Sequence, residues 1–264
     1  MDVLAEFLDY FHIDGFEPSR RIFFASARAF SRIPYENITK IIRWAEAGSD
    51  EKARRGPEEV VSDHIRWGTG GTCFSLAAAL YHIVRRMGFE AEYLLADRGY
   101  GYNTHSALSV RIDGIPYLVD PGFLISEPVP LTLVDSMKIA SGGEQFTLIP
   151  NANEISLFTE RGGKSVHRLT YKMAPVNVSD FLKAWDASFQ WEMMHYPLLA
   201  RTMENGRIYL RGSMFQVSDY DSVKRVTIPE DELAAKISGE FGIHQGLVER
   251  ALTLLKKEKH GSLQ

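Results

Sequence analysis

The dipeptide Asp113-Gly114 separates two apolar runs, residues 105–112 and 115–120. An Asp-Gly pair in that place is a strong hairpin signal, because a two-residue turn needs positive φ at both central positions. The turn sets Ile112 opposite Ile115, and the antiparallel ladder then sets Asp120 opposite Ala107. His105 lies two residues from Ala107, so its side chain leaves the same face and becomes a diagonal neighbour of Asp120. Ala107, Ser109, Arg111, Pro116 and Leu118 share that face. The opposite face, with Leu108, Val110, Ile112, Ile115, Tyr117 and Val119, is more apolar and is expected to meet the core. A histidine and an aspartate joined by register read as a general base with its orienting carboxylate, or as a polar pair closing the hairpin.

The one cysteine, Cys73, follows Gly68-Thr69-Gly70-Gly71-Thr72 and opens a helical pattern whose inner face is Phe74, Ala77, Tyr81, Val84 and Met87. Thr72 is the expected N-cap, Arg85 and Arg86 suit the last turn, and Gly88 suits the C-terminal end. In a first helical turn the unpaired amides and the dipole favour a thiolate, and glycines let the backbone come close to a neighbour. Alone, the same features describe a buried structural cysteine. An apolar strand at 91–96 and a Gly- and Tyr-rich loop at 98–104, expected to overhang the thiol, connect the helix to the hairpin. That connection lets Cys73, His105 and Asp120 meet as nucleophile, base and orienter.

Around this centre the first third reads helical, over residues 2–12 and 19–32, with Ser19 capping the second helix and Pro34 ending it. Residues 47–57 are charged and read as a solvated loop. The middle third reads as strands at 147–149, 155–160 and 166–173. In the last third Ser179 is expected to cap a helix to Phe189, Asn205-Gly206 to turn a hairpin, and 229–257 to be helical with a break at Gly242. The expected fold class is α+β: an N-terminal helical bundle, a central antiparallel β-barrel or sheet, and a C-terminal α/β lid, with a cysteine-protease-like Cys-His-Asp arrangement. The segments are 1–88, carrying the nucleophile, 89–178, carrying His and Asp, and 179–264, the lid.

Across the 264 residues the net charge is −4, which supplies no whole-chain footprint for nucleic acid. No apolar run is long enough for a membrane span, and the acidic N-terminus is wrong for a signal or transit peptide. A single cysteine excludes an intrachain disulfide and multi-cysteine zinc sites and suits a cytoplasmic setting. His64, His82 and His195 lack ligand spacing and read as surface or satisfied core residues, and no metal is expected.

These residues resemble the arylamine N-acetyltransferase family. The family's Arg-Gly-Gly-x-Cys-Phe is here Thr69-Gly70-Gly71-Thr72-Cys73-Phe74. Its Thr-His is Thr104-His105, its Val-Asp-Val-Gly-Phe-Gly is Val119-Asp120-Pro121-Gly122-Phe123-Leu124, and its Ile-Pro-Phe-Glu-Asn is Ile33-Pro34-Tyr35-Glu36-Asn37. The resemblance implies a catalytic triad of Cys73, His105 and Asp120, with substrate contacts from Tyr35, Phe74, Phe123 and Thr104 and coenzyme contacts from Gly122 and Leu124. It implies ping-pong transfer of an acetyl group from acetyl-coenzyme A, through a cysteine thioester, to an arylamine, hydrazine or hydroxylamine. Acetyl-coenzyme A is then a substrate, and no cofactor is permanently bound. The partners are small molecules, with no nucleic acid and no membrane.

The chain also departs from the pattern. Thr69 stands where the family has the arginine that pairs with its glutamate, so Glu36 is expected to pair with Arg66 or to stay exposed. Ser75, Ala77 and Leu124 replace family Glu, Asn and Gly. Two other readings share the triad: an amide synthase using carrier-bound acyl groups, and a transglutaminase-like cysteine protease, to which Asp120-Pro121 is closer. A non-catalytic binding protein is a third.

Overall fold

The computed structural model describes residues 2–15 and 17–261; Met1, Phe16 and residues 262–264, which belong to the expected outer segments, lie outside the described residues. The N-terminal part contains α1 (Val3–Tyr10), α2 (Arg20–Phe30), a two-residue strand β1 (Tyr35–Glu36), α3 (Ile38–Ala47), the single turn α4 (Asp50–Ala53), α5 (Pro57–Trp67) and α6 (Cys73–Arg86). Ser19 caps α2 by accepting from the Ile22 N–H at 3.3 Å. Residues 47–57 are not a solvated loop. They include α4, and they bury Ala53 and Arg55 against the rest of the protein.

The middle strands are β2 (Glu90–Arg98), β3 (Gly101–Ile112), β4 (Ile115–Val119), β5 (Val129–Pro130), β6 (Met137–Ser141), β7 (Glu144–Asn151), β8 (Glu154–Arg161) and β9 (Lys164–Lys172). They form one antiparallel sheet in the order β5-β4-β3-β2-β9-β8-β7-β6. Asp113 and Gly114 have φ of 51° and 80°, and Leu108 pairs with Val119, which is the register expected from the turn. The stretch read as an overhanging loop is mostly strand: Gly101 already belongs to β3, so only Gly99-Tyr100 turns.

The remaining elements are α7 (Val178–Ala187), β10 (Leu198–Met203), β11 (Gly206–Arg211), β12 (Met214–Ser218), β13 (Val223–Thr227), α8 (Leu233–Phe241) and α9 (Gln245–Gly261). Asn177, not Ser179, caps α7, accepting from the Asp180 N–H at 2.9 Å. The β10–β11 turn is Glu204-Asn205 because Gly206 is already paired with Met203. Gly242, at φ 74°, ends α8.

Strand β1 joins the second sheet, in the order β1-β10-β11-β12-β13, so the N-terminal part contributes an edge strand to the C-terminal sheet. A single hydrophobic cluster gathers Phe7, Phe74, Leu108, Leu199, Ile237 and Ala251. A second holds Leu94, Ala107, Leu118, Phe146 and Tyr171. Both faces of the β3–β4 hairpin are therefore covered, and His105 lies on the face that meets the second cluster. Among the described residues, no helix is long and apolar enough to cross a membrane.

Candidate active site

Cys73 is the first residue of α6 and is almost fully buried. Thr72 holds the N-cap position with extended backbone, but its side chain makes no cap bond. Gly70 leaves no room for a side chain, since a Cβ there would lie 1.7 Å from the Pro34 carbonyl oxygen. Gly122 is as tightly confined. A Cβ on it would lie 2.5 Å from Cys73 Cβ and 3.1 Å from His105 Cε1, so one glycine backbone is wedged between nucleophile and ring.

On the hairpin, His105 Nε2 donates to Asp120 Oδ2 at 2.6 Å. The Tyr171 hydroxyl donates to the same oxygen at 2.6 Å, and the Phe123 N–H donates to Oδ1 at 2.8 Å. The sheet explains Tyr171: Ala96 of β2 pairs with His105 on one side and with Tyr171 of β9 on the other, so all three share a face. The small Ala96 leaves room for the phenol to reach over it. Burial works against charge on Asp120, but His105 and these donors outweigh it and hold the carboxyl below its usual range. Burial likewise opposes the imidazolium, yet Asp120 and Cys73 lift His105 to about 8. Burial pushes the Cys73 thiol up, while His105, Arg98 and Lys40 more than reverse it, so the thiol ionises below its usual range.

Three side chains in this network lack a local sequence signal. Tyr171 is one. Lys40 is buried with Nζ donating to the Ser188 carbonyl oxygen and hydroxyl, and burial lowers its pKa to about 7. Arg98 ends β2, just past a register shift, and its Nη2 lies 2.9 Å from His105 Nδ1. Arginine only donates, so Nδ1 is the acceptor and Nε2 carries the proton in this arrangement.

Glu36 does not pair with Arg66 and is not exposed; it is fully buried. It accepts from Thr39 N–H and Oγ1 and from Gly70 N–H, and Arg55 stands 3.8 Å away. Arg55 bridges Thr39 Oγ1, the Gly70 carbonyl and Asp63. A guanidinium from the α4–α5 junction thus braces the glycine loop before Cys73.

A cavity of about 710 Å³ has Tyr35, Gly122, Phe123 and Leu124 in its wall; Cys73, His105 and Asp120 do not line it themselves and lie behind Gly122. Phe74 is elsewhere: fully buried, it packs on Phe181, Trp185 and Trp191. Thr104 is also absent from the wall. Its hydroxyl accepts from the Arg98 N–H and donates to the Gly101 carbonyl, pinning the β2–β3 turn. Arg98, Arg168, Arg207, Arg211 and Arg225 line the cavity, against one carboxylate, Glu144. No group of three or more metal-ligating side chains gathers among the described residues.

Helices, curled antiparallel sheets and a buried His105–Asp120 pair beside Cys73 make this an α+β fold with a cysteine-protease-like Cys-His-Asp arrangement. More narrowly, the chain belongs to the N-acetyltransferase family, whose sequence profile matches residues 25–249. The arylamine N-acetyltransferase of Mycobacterium smegmatis has the same fold, with a TM-score of 0.79 and 21% identity over 97% of this chain and 99% of that one. The Mycobacterium marinum arylamine N-acetyltransferase in complex with CoA gives 0.74 and 17%, over 94% and 98%. An arylamine N-acetyltransferase from Bacillus cereus with a Cys-His-Glu catalytic triad gives 0.73 and 18%, over 92% and 99%. No curated protein matches the sequence.

Proposed function

We propose that this protein transfers an acyl group, in the family's manner acetyl from acetyl-coenzyme A, through a Cys73 thioester to an arylamine, hydrazine or similar amine. The observation that carries the reading is the His105–Asp120 pair at 2.6 Å, set beside Cys73 and against Gly122, which lies in the wall of an arginine-lined cavity. Asp120 holds His105 in the tautomer whose Nδ1 can take a proton. The Cys73 thiolate attacks the thioester carbonyl carbon, and the Cys73 backbone N–H, in the first turn of α6, is assigned to the oxyanion. The carbon–sulfur bond to coenzyme A breaks, and coenzyme A leaves with the proton from His105. The amine then attacks the acyl-Cys73 carbonyl and gives its proton to Nδ1, and Cys73 is released.

The cavity arginines suit the phosphates of coenzyme A, and a relative has been solved with CoA. Gly122 and Leu124 are assigned to that donor, and Tyr35 and Phe123 to a flat amine. Phe74 supports the site from the core, and Thr104 supports it through the turn. The reading needs no resident metal or cofactor, no nucleic acid and no membrane, and it places the reaction in the cytoplasm.

The test is incubation with acetyl-coenzyme A followed by intact-mass measurement, beside Cys73→Ala, and then turnover on a panel of arylamines. One acetyl adduct, lost in Cys73→Ala and discharged by amine, is the expected result. An adduct formed only from carrier-protein thioesters points to amide synthesis. Amide cleavage with no adduct from any thioester points to a protease.

A further inference from the structure

Arg98 stands at the one atom the reaction requires to be free. Asp120 occupies His105 Nε2, so Nδ1 alone can receive the Cys73 proton, and the Arg98 guanidinium donates to Nδ1 at 2.9 Å. A protonated Nδ1 and a guanidinium N–H are both donors and cannot share that contact. Forming the thiolate–imidazolium pair therefore expels Arg98 from the ring. Apart from the ring, its side chain meets Tyr100 in a hydrogen bond, while its Nε is buried without a hydrogen-bond partner. Around it are Tyr35, Tyr100, Cys73 and Asp120, and Asp120 is already engaged by His105, Tyr171 and Phe123. The open side is the cavity, where its guanidinium lies 5.8 Å from the centre of the Phe123 ring.

We infer that Arg98 is a specificity-determining residue that recognises a carboxylate at the far end of the acyl group, so that the enzyme favours dicarboxylic acyl thioesters over neutral ones. The order of steps selects the donor rather than the amine. Nδ1 must be free when Cys73 first attacks, and in a ping-pong reaction only the donor is then bound. The phosphates of coenzyme A cannot serve, because the pantetheine arm separates them from the thioester. A carboxylate a few bonds beyond the carbonyl can draw Arg98 off the ring into a charge-assisted pair. The covalent steps are unchanged: the carbonyl carbon moves from coenzyme A sulfur to Cys73 sulfur and then to nitrogen, while the carboxylate keeps its charge throughout.

This inference rests on the acyl-transfer reading. Its test compares rates of acyl-Cys73 formation, followed by intact mass, from succinyl- and butyryl-coenzyme A, which have the same acyl chain length and differ in the terminal carboxylate. Wild type should favour succinyl by on the order of tenfold or more, the range of a hydrogen bond to a charged group. In Arg98→Gln the ratio should fall to about one, and Arg98→Lys should keep part of it, which a merely structural role would not produce. Equal wild-type rates, or a ratio untouched in Arg98→Gln, would overturn the inference while leaving acyl transfer standing. The wild-type ratio decides even if Arg98→Gln fails to fold. Absence of an adduct from every thioester overturns the acyl-transfer reading, and this inference with it.

Discussion

Asp120 accepts three hydrogen bonds inside the protein, and each donor constrains His105 a little more. Asp120→Asn keeps the shape but removes the charge, and its amide nitrogen faces a donor at either oxygen position. Turnover should fall by orders of magnitude, while the circular dichroism spectrum stays native. Normal turnover in the variant would reduce the pair to a hairpin closure. The same pair sets a pH dependence. His105 is raised from 6.5 to about 8, so the stability it contributes is complete below about pH 6.5 and is lost as pH rises through 8. A melting-temperature series from pH 6 to 9 should decline over that window, and Asp120→Asn should flatten it. Arg55 is the other informative residue. Arg55→Met strands Glu36 as a buried unpaired carboxylate, and urea unfolding should show a loss of about 3–5 kcal/mol. Adding Glu36→Gln should recover part of it. If the double variant is no better than the single, the pairing is incidental.

Among the elements, the β3–β4 hairpin and the start of α6 were readable from local residues. Asp113-Gly114 imposes a turn, the turn imposes register, and register puts His105 on the same face as Asp120. The less apolar face is covered as well, by a second cluster that includes Ala107 and Leu118 together with residues of β2, β7, β8 and β9. The junction between the two elements is Gly122, where a Cβ would strike Cys73 Cβ at 2.5 Å. Gly122→Ala should push α6 away from the ring. Acylation of Cys73 by acetyl-coenzyme A should slow at least a hundredfold, about 2.7 kcal/mol in barrier height, with the melting temperature less affected. An unchanged acylation rate would show that the contact is slack.

At the scale of the molecule, the helices, the hairpin and the C-terminal elements meet in one cluster, and β1 is stitched to β10. Near-ultraviolet and far-ultraviolet circular dichroism should therefore report the same denaturant midpoint. Deleting residues 229–264 should uncover the inner face of α3, against which α9 packs, and abolish that shared transition. Two separated midpoints in the full chain would argue that the sheets unfold independently.

Within the chain, the α+β class, the position of Cys73 at a helix start and the pairing of His105 with Asp120 follow from turn chemistry, period and capping, which act over a few residues. The bracing of Glu36 by Arg55, the bond from Tyr171 to an aspartate 51 residues away and the seat of Arg98 on His105 do not. Each depends on which strands pair and where a ladder slips, as β2 does between Ala96 and Arg98. The convergence of five arginines on one cavity has the same origin. Short-range sterics act wherever a residue type occurs, whereas a charge's partner is chosen only when the closed core brings distant segments within bonding distance.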